Sequence, residues 1–326
     1  MPGGELPSDR LRLVEEARAR STSPARSAFE ALARSPEPSV FRLAALIAAE
    51  ETYPDVSQDE MHGDLLRSIH MIASDAATRL QIERLLGKSP AVSELQQLAG
   101  ALSATIFGPS ERKPSDPSGM FEVLNPSDPR SVCPPCGSSC ERELVLGFMF
   151  FPRCCRGALL HEVVARRSGS AFALSIIYME TASSMGLPLQ PLAAPGPPGH
   201  LLLVPREEEE PSFAIDVFRR GRVFPLMPTL RRMYSQKPLS SRDMTIRLLH
   251  TLRRGYGEAL DAVRMMGAID RLLVLFAAEE QNEPSVKDAS GREAERRKCT
   301  RQLAECILAI RDVSRASEVS IIHVGT

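Results

Sequence analysis

The spacing of apolar residues constrains this chain most strongly, because it is helical along both ends and changes to strand-length runs only between residues 200 and 224. Apolar side chains recur every three to four residues through 41–51, 65–86, 91–107 and 157–185, and again from about 244 onward. The runs 200–204, 213–217 and 222–224 have strand length, and a polar connection suited to a hairpin separates the first two. The pattern predicts an α+β protein with a small antiparallel sheet between two helical regions.

Four segments follow from this reading. Residues 1–107 are predicted to form a helical N-terminal region, 151–225 a core of helix and sheet, and 226–326 a helical C-terminal region that begins its last helix after a charged break at 280–297. Residues 108–150 are rich in Pro and Cys, and the prolines lie among Ser, Gly and Asp. Neither a regular helix nor a central strand is expected in that insertion.

Charge and composition exclude several function classes. Lys and Arg total 40 against 41 Asp and Glu, so the clustered cations of a nucleic-acid binder are not expected. No apolar run approaches the ~20 residues that span a bilayer, so no membrane partner is expected either. The first residues carry charges throughout and lack the apolar stretch of a secretory signal, and their acidic residues argue against a transit peptide. We therefore expect a cytoplasmic protein whose 7 cysteines are reduced thiols.

A set of short motifs follows one another in a fixed order at 162–167, Gly169, 174–180, 186–188, 198–200 and 216–218. In order and spacing, these motifs resemble the SirB-type branch of the transglutaminase-like superfamily. The similarity extends over residues 25–280, with 108–150 unmatched. It implies a small transglutaminase-like core of one helix and an antiparallel sheet, followed by helices like a tetratricopeptide hairpin, with which 248–276 is compatible.

The resemblance also implies where a catalytic triad would lie. Catalytic relatives carry a Cys at the start of the core helix and a His and an Asp on neighbouring strands; a helix N-terminus and an imidazolium stabilise the attacking thiolate. The His position falls on His200 and the Asp position on Asp216, and a hairpin could bring the two together. The Cys position falls near Ala171, where there is no thiol. The resemblance therefore favours a non-catalytic pseudoenzyme, an interaction or regulatory module with a degenerate Cys-His-Asp site and a protein partner that the sequence does not identify.

Two readings of the retained residues stay open. In the first, His200 is a structural residue that opens a buried strand and bonds to Asp216. In the second, the chain is a hydrolase or acyl-transfer enzyme in which a serine near the helix start, Ser168, Ser170 or Ser175, replaces the thiol. The second reading needs a strongly held base, because a hydroxyl is a much weaker acid than a thiol.

The cysteines offer a rival hypothesis. Cys133, Cys136 and Cys140, with Cys154 and Cys155 downstream, approximate the short spacings of a zinc site. The second half lacks a C-x2-C pair, and adjacent cysteines seldom bind one ion together. We therefore expect reduced thiols there, no metal and no cofactor, and keep a zinc-assisted scaffold as the alternative.

The remaining charged and titratable residues favour structural interpretations. The acidic run 207–210 is expected at the solvated tip of a hairpin rather than in a calcium site. The arginines at 219, 220 and 222, with 231 and 232 further on, are expected to form a solvated basic rim, with an acidic partner as the alternative. His62, His70, His161 and His250 lie in helical patterns and are expected to be surface or packing residues.

Overall fold

The structure is a computed structural model, and it describes residues 15–16, 19–52, 54–85, 93–108, 120–123, 157–193, 200–206, 211–227, 238–259, 261–282 and 289–322. Its helices are α1 (Pro24–Ala33), α2 (Val40–Thr52), α3 (Gln58–Leu85), α4 (Glu94–Phe107), α5 (Leu160–Arg166), α6 (Ala171–Ser184), α7 (Ser241–Glu258), α8 (Ala262–Asn282) and α9 (Ala289–Ile322). Its strands are β1 (Glu122–Val123), β2 (Ser168–Gly169), β3 (Leu189–Ala193), β4 (Leu201–Pro205), β5 (Phe213–Asp216) and β6 (Arg222–Pro225). The predicted α+β class is confirmed: a small sheet lies between helical flanks.

The N-terminal helices begin where the sequence supplies caps. Ser23 accepts a hydrogen bond from the backbone of Arg26 and is followed by Pro24, and Ser93 caps α4 in the same way. A hydroxyl oxygen at this position satisfies one of the free amides of a helix start, and proline suits the first turn. Buried apolar side chains from α1 to α4 then join one core that continues through α5, α6 and the C-terminal helices. The core is thus continuous across the domain boundaries predicted from sequence, which stay predictions.

The main sheet is antiparallel, with the strand order β3-β4-β5-β6. Every residue of β4 and β5 is buried. Leu201, Leu203 and Ile215 join the main core, whereas Leu202 and Ala214 belong to a second apolar cluster. Because side chains alternate between the faces of a sheet, burial on both faces explains why these strands read as continuous apolar runs.

The sequence pattern does not predict strand β3. Its segment contains Gln190 and Pro191, which do not suggest a strand, yet it pairs with β4 from Leu189 opposite Pro205 to Ala193 opposite Leu201. Proline is tolerated because β3 is at the edge of the sheet, where a missing amide need not interrupt a ladder. The carbonyl of Pro191 accepts a hydrogen bond from the amide of Leu239 (2.9 Å).

The described part of the insertion, residues 120–123, contains the two-residue strand β1, which pairs in parallel with β2 and is not a central strand. The amide of Phe121 donates to the carbonyl of Ile106 at the end of α4 (2.7 Å).

One expectation for the C-terminal region needs correction. The charged stretch 280–297 was expected to be a break, but α9 already begins at Ala289. Its charges pair with neighbouring helices instead, for example Arg292 with Glu279 (2.6 Å) and Arg296 with Glu280 (2.7 Å).

Buried ion pairs join the N-terminal helices to the C-terminal hairpin formed by α7 and α8. Glu50 of α2 lies between Arg26 of α1 and Arg271 of α8, with contacts of 2.7–3.1 Å. Arg242 of α7 donates from Nε to the carbonyl of Ala33 (3.2 Å) and from Nη2 to that of Ser35, at the end of α1. A cation is favourable there because free carbonyls give a helix C-terminus a negative partial charge. In the part of the chain that the structure describes, no helix is both long enough and apolar enough to cross a membrane.

Candidate functional site

The core helix α6 begins at the predicted position. Ser170 is its N-cap, and the Oγ atom accepts a hydrogen bond from the amide of Ala173 (3.1 Å). The helix ends at a turn in which Gly186 adopts φ +81°, a conformation that favours glycine. Ala171, the first residue of α6, is buried with 3% exposure. Ala171, to which the resemblance assigns the position of the thiol, thus presents a buried methyl group at a capped helix start.

His200 and Asp216 are in contact, as predicted. The Nε2 atom of His200 is 3.1 Å from Oδ1 of Asp216, and the two side chains are 19% and 6% exposed. An ionised carboxylate only accepts hydrogen bonds, so this contact requires the proton on Nε2 and leaves Nδ1 as the acceptor of the neutral ring. The pair thus selects one imidazole tautomer and holds it in a half-buried setting.

Two neighbours help to hold this pair: Phe218, and Arg219, which the sequence predicts only as part of a solvated basic rim. Oδ1 of Asp216 also accepts from the amide of Arg219 (3.2 Å), which caps the 3-10 helix Val217–Arg219, and Nε of Arg219 is 3.6 Å from Oδ2. Phe218 lies edge-on to the His200 ring, with centroids 4.8 Å apart. Phe218 belongs to the 3-10 helix that directly follows Asp216, and His200 directly precedes β4, so the two rings meet at the same end of the paired strands β4 and β5. An Asp that precedes a helical turn often caps it by accepting from the amide three residues later, so the sequence signal for this role of Asp216 was its position three residues before Arg219.

The chain direction relates α6 to the pair. The turn at Gly186 reverses the chain, and β3 starts at the end of the sheet opposite to that of Asp216. The core helix α6 packs against β3, β4 and the 3-10 helix that follows Asp216. The helix and the two strands that adjoin His200 and Asp216 therefore lie in one region of the fold.

Two of the three serines that could replace the thiol, Ser170 and Ser175, form hydrogen bonds with the backbone of α6. Ser175 is 1% exposed, and its Oγ donates to the carbonyl of Ala171 (2.7 Å). Ser170 accepts at its Oγ from the amide of Ala173, and Ser168 lies in β2, opposite Glu122. No hydrogen bond joins any of the three to His200 in the described parts of the chain. A serine in the role of the thiol would have to leave its present partner.

The other four histidines among the described residues lie in helices. His62 contacts the Phe41 ring at a centroid distance of 6.0 Å, and burial lowers its pKa. Burial also lowers the pKa of His161 in α5. Burial and then Arg253 lower the pKa of His250 to about 4. His70 is exposed on α3.

Several predicted features fall outside the described residues. These are the hairpin tip 207–210, Arg231, Arg232, and the cysteines Cys133, Cys136, Cys140, Cys154 and Cys155. Within the ranges that are described, no group of three or more His, Cys, Asp or Glu side chains could hold a metal ion. The described cysteines, Cys299 and Cys306, are buried free thiols on α9, and burial raises the pKa of both.

Comparison with known families agrees with this geometry. Residues 153–252 match a sequence family described as the transglutaminase-like superfamily. The chain therefore contains a transglutaminase-like domain, which includes α5, α6, the whole main sheet and the first part of α7. It extends past residue 225, where the sequence reading placed the end of the core. No curated protein and no solved structure matches the chain.

Proposed function

We propose that this chain is a non-catalytic transglutaminase-like protein of the SirB-type branch that acts in the cytoplasm as an interaction or regulatory module for a protein partner. Two observations carry the proposal: a buried methyl group, that of Ala171, at the start of the core helix, and the contact between His200 and Asp216. A methyl group cannot attack a carbonyl, and no cofactor, metal, nucleic acid or membrane is part of the proposal.

The contacts of the pair support a structural role. Asp216 bonds to the imidazole, caps the 3-10 helix and pairs with Arg219, so its carboxylate joins two strands and a turn. Such a carboxylate organises the end of the sheet whether or not a nucleophile is present. Loss of a thiol alone would therefore leave the fold, and any surface that binds a partner, intact.

Restoring the thiol tests the assignment. The full chain with Ala171→Cys is treated with iodoacetamide at pH 7, and the labelled peptides are quantified by mass spectrometry. A thiol beside an imidazole and a helix N-terminus is stabilised as the thiolate, so labelling on the order of tenfold faster than at an ordinary thiol is expected. Ala182→Cys is the matched control, because Ala182 is a fully buried residue of the same helix far from its start.

A second variant separates the contribution of the histidine. Ala171→Cys combined with His200→Ala should label as slowly as the control. Slow labelling of Ala171→Cys alone would show that the helix start does not face the pair, and the degenerate-triad assignment would then be wrong.

One observation favours the alternative, a hydrolase or acyl-transfer enzyme. With Nε2 donating to Asp216, Nδ1 has no described hydrogen-bond partner and His200 is partly exposed, which suits a general base. Hydrolysis of p-nitrophenyl acetate by the unmodified chain, lost with His200→Ala, would establish this alternative against the non-catalytic proposal. Ser170→Ala and Ser175→Ala would then identify the nucleophile.

A further inference from the structure

We propose that Ser103 and Phe107 of α4 are positioning residues for the His200–Asp216 pair, although they lie outside the segment 153–252 that matches the family. They act by fixing the turn that follows Asp216. The inference rests on the proposed function only in taking this pair as the retained site.

The turn between β5 and β6 has little conformational freedom. Asp216 caps the 3-10 helix, the amide of Arg220 donates to the carbonyl of Val217 (3.1 Å), and Arg222 pairs with Asp216 in the sheet register. Arg220 and Gly221 both have positive φ, +54° and +68°. A non-glycine residue in this conformation persists only where its surroundings hold it.

Gly221 makes the closest approach to α4. A Cβ atom at this position would be 2.6 Å from Cδ2 of Phe107 and 2.8 Å from Oγ of Ser103. Glycine is therefore required both by its φ and by the absence of space for a side chain. The contact presses the turn against two buried side chains of α4, which are 6% and 7% exposed.

These two side chains are themselves fixed by Tyr178 of the core helix. The Tyr178 hydroxyl donates to the carbonyl of Ala99 (2.9 Å), and Oγ of Ser103 donates to that hydroxyl (2.9 Å). The rings of Phe107 and Tyr178 are stacked with centroids 6.4 Å apart. Buried polar groups that are fully bonded define a single arrangement, because any shift leaves one of them unsatisfied.

The consequence is a continuous set of contacts from α6 through α4 to the Asp216 turn. The helix that carries Ala171 and the turn that orients Asp216 are set relative to one another by residues of the N-terminal helical region. That region therefore contributes to the geometry of the site in addition to its role in the core.

The test measures the imidazole tautomer of His200 in the full-length protein. Nitrogen-15 NMR of the ring distinguishes the Nε2–H from the Nδ1–H tautomer in mildly alkaline buffer, and the spectrum of His200→Gln identifies the signal. The wild-type chain should show the Nε2–H form almost exclusively. Phe107→Ala and Gly221→Ala should each lower the ratio of Nε2–H to Nδ1–H about tenfold, as expected for loss of one hydrogen bond to a charged group.

A double variant tests whether the two residues act through one contact. Gly221→Ala should lower the ratio less in the Phe107→Ala background than in the wild type, because the new methyl group occupies space that the ring vacates. Leu272→Ala, which truncates a fully buried residue of α8, is the control for general destabilisation and should leave the ratio unchanged.

Unchanged ratios in folded Phe107→Ala and Gly221→Ala chains would overturn the inference, as would an equal fall in Leu272→Ala. If Phe107→Ala does not fold, Phe107→Leu is measured instead and should show a smaller fall in the same direction. Slow labelling of Ala171→Cys would refute the proposed function without altering any of these ratios, so the two failures are distinguishable.

Discussion

Glu50 is the residue whose loss should reveal most about how the two helical regions are joined. It is 1% exposed on α2 and is bracketed by two arginines. Arg26 donates to its two carboxylate oxygens from Nε (3.0 Å) and Nη2 (2.9 Å), and Arg271 donates from Nε (3.1 Å), with Nη2 2.7 Å away. Glu50→Gln keeps the shape of the side chain and removes its charge.

The expected loss of stability follows from the few partners that Arg26 and Arg271 keep when the carboxylate is removed. Both guanidinium groups stay buried, with side chains 5% and 1% exposed, and the remaining partners are weak: the carbonyl of Gly267 at 3.3 Å for Arg26 and Glu51 at 3.7 Å for Arg271. Breaking a buried ion pair while keeping one charge costs about 3–5 kcal/mol, and we expect Glu50→Gln to fall in that range. An exposed pair contributes less than about 1 kcal/mol.

Urea unfolding followed by circular dichroism measures the difference. Glu258→Gln is the matched control, because Glu258 pairs with Arg254 at 3.0 Å on an exposed surface. Replacing the whole cluster, with Arg26→Met, Glu50→Leu and Arg271→Met together, should recover most of the lost stability, since both buried guanidinium groups are removed together with the carboxylate between them. The reasoning is refuted if Glu50→Gln is no more destabilising than Glu258→Gln.

Three further predictions concern pH, helix termination and the cysteines. Burial lowers the pKa of His250 to about 4, so the unfolded chain binds a proton at this residue before the folded chain does as the pH falls below 6.5. Unfolding measured at a series of pH values should therefore show a loss of stability between pH 6.5 and 4, on the order of 1–2 kcal/mol. The variant His250→Gln should lack that part of the loss. Arg167 ends α5 at φ +54°, so Arg167→Gly should raise the free energy of unfolding by up to about 1 kcal/mol, whereas Arg166→Gly, inside the helix, should lower it. If Cys133, Cys136, Cys140, Cys154 and Cys155 are free thiols, purified protein should contain less than stoichiometric zinc, and replacing all five by Ser should leave the Tm nearly unchanged. Stoichiometric zinc that disappears with the replacements would instead support the zinc scaffold.

Much of the fold was predictable because it depends on local spacing. The apolar stripes of α2, α4, α6, α7 and α8 and the runs of β4 and β5 record which faces are buried, and caps such as Ser170 lie beside the helices that they start. The His200–Asp216 contact was predictable for a related reason, since a hairpin between neighbouring strands brings together residues 16 positions apart.

Features that depend on distant partners were not predictable. Pro191 could be assigned to a strand only once β3 was seen at the edge of the sheet, and the charged stretch that begins α9 could be called helical only with its partners on α8 in place. Glu50, in the last turn of α2, and Arg271, near the middle of α8, are stable when buried because each is the other's partner across 221 residues of sequence.

The sequence alone determined the class of the fold, the order of the site residues and the absence of a thiol near position 171, because each is a property of residue type and local spacing. Only the tertiary structure decided which groups fix the site: Phe218 against the imidazole, Arg219 on the carboxylate, and Phe107 and Ser103 against Gly221. Those contacts join segments that no local pattern relates, since a contact energy depends on distances in space and on burial, and both are set only when the whole chain has packed.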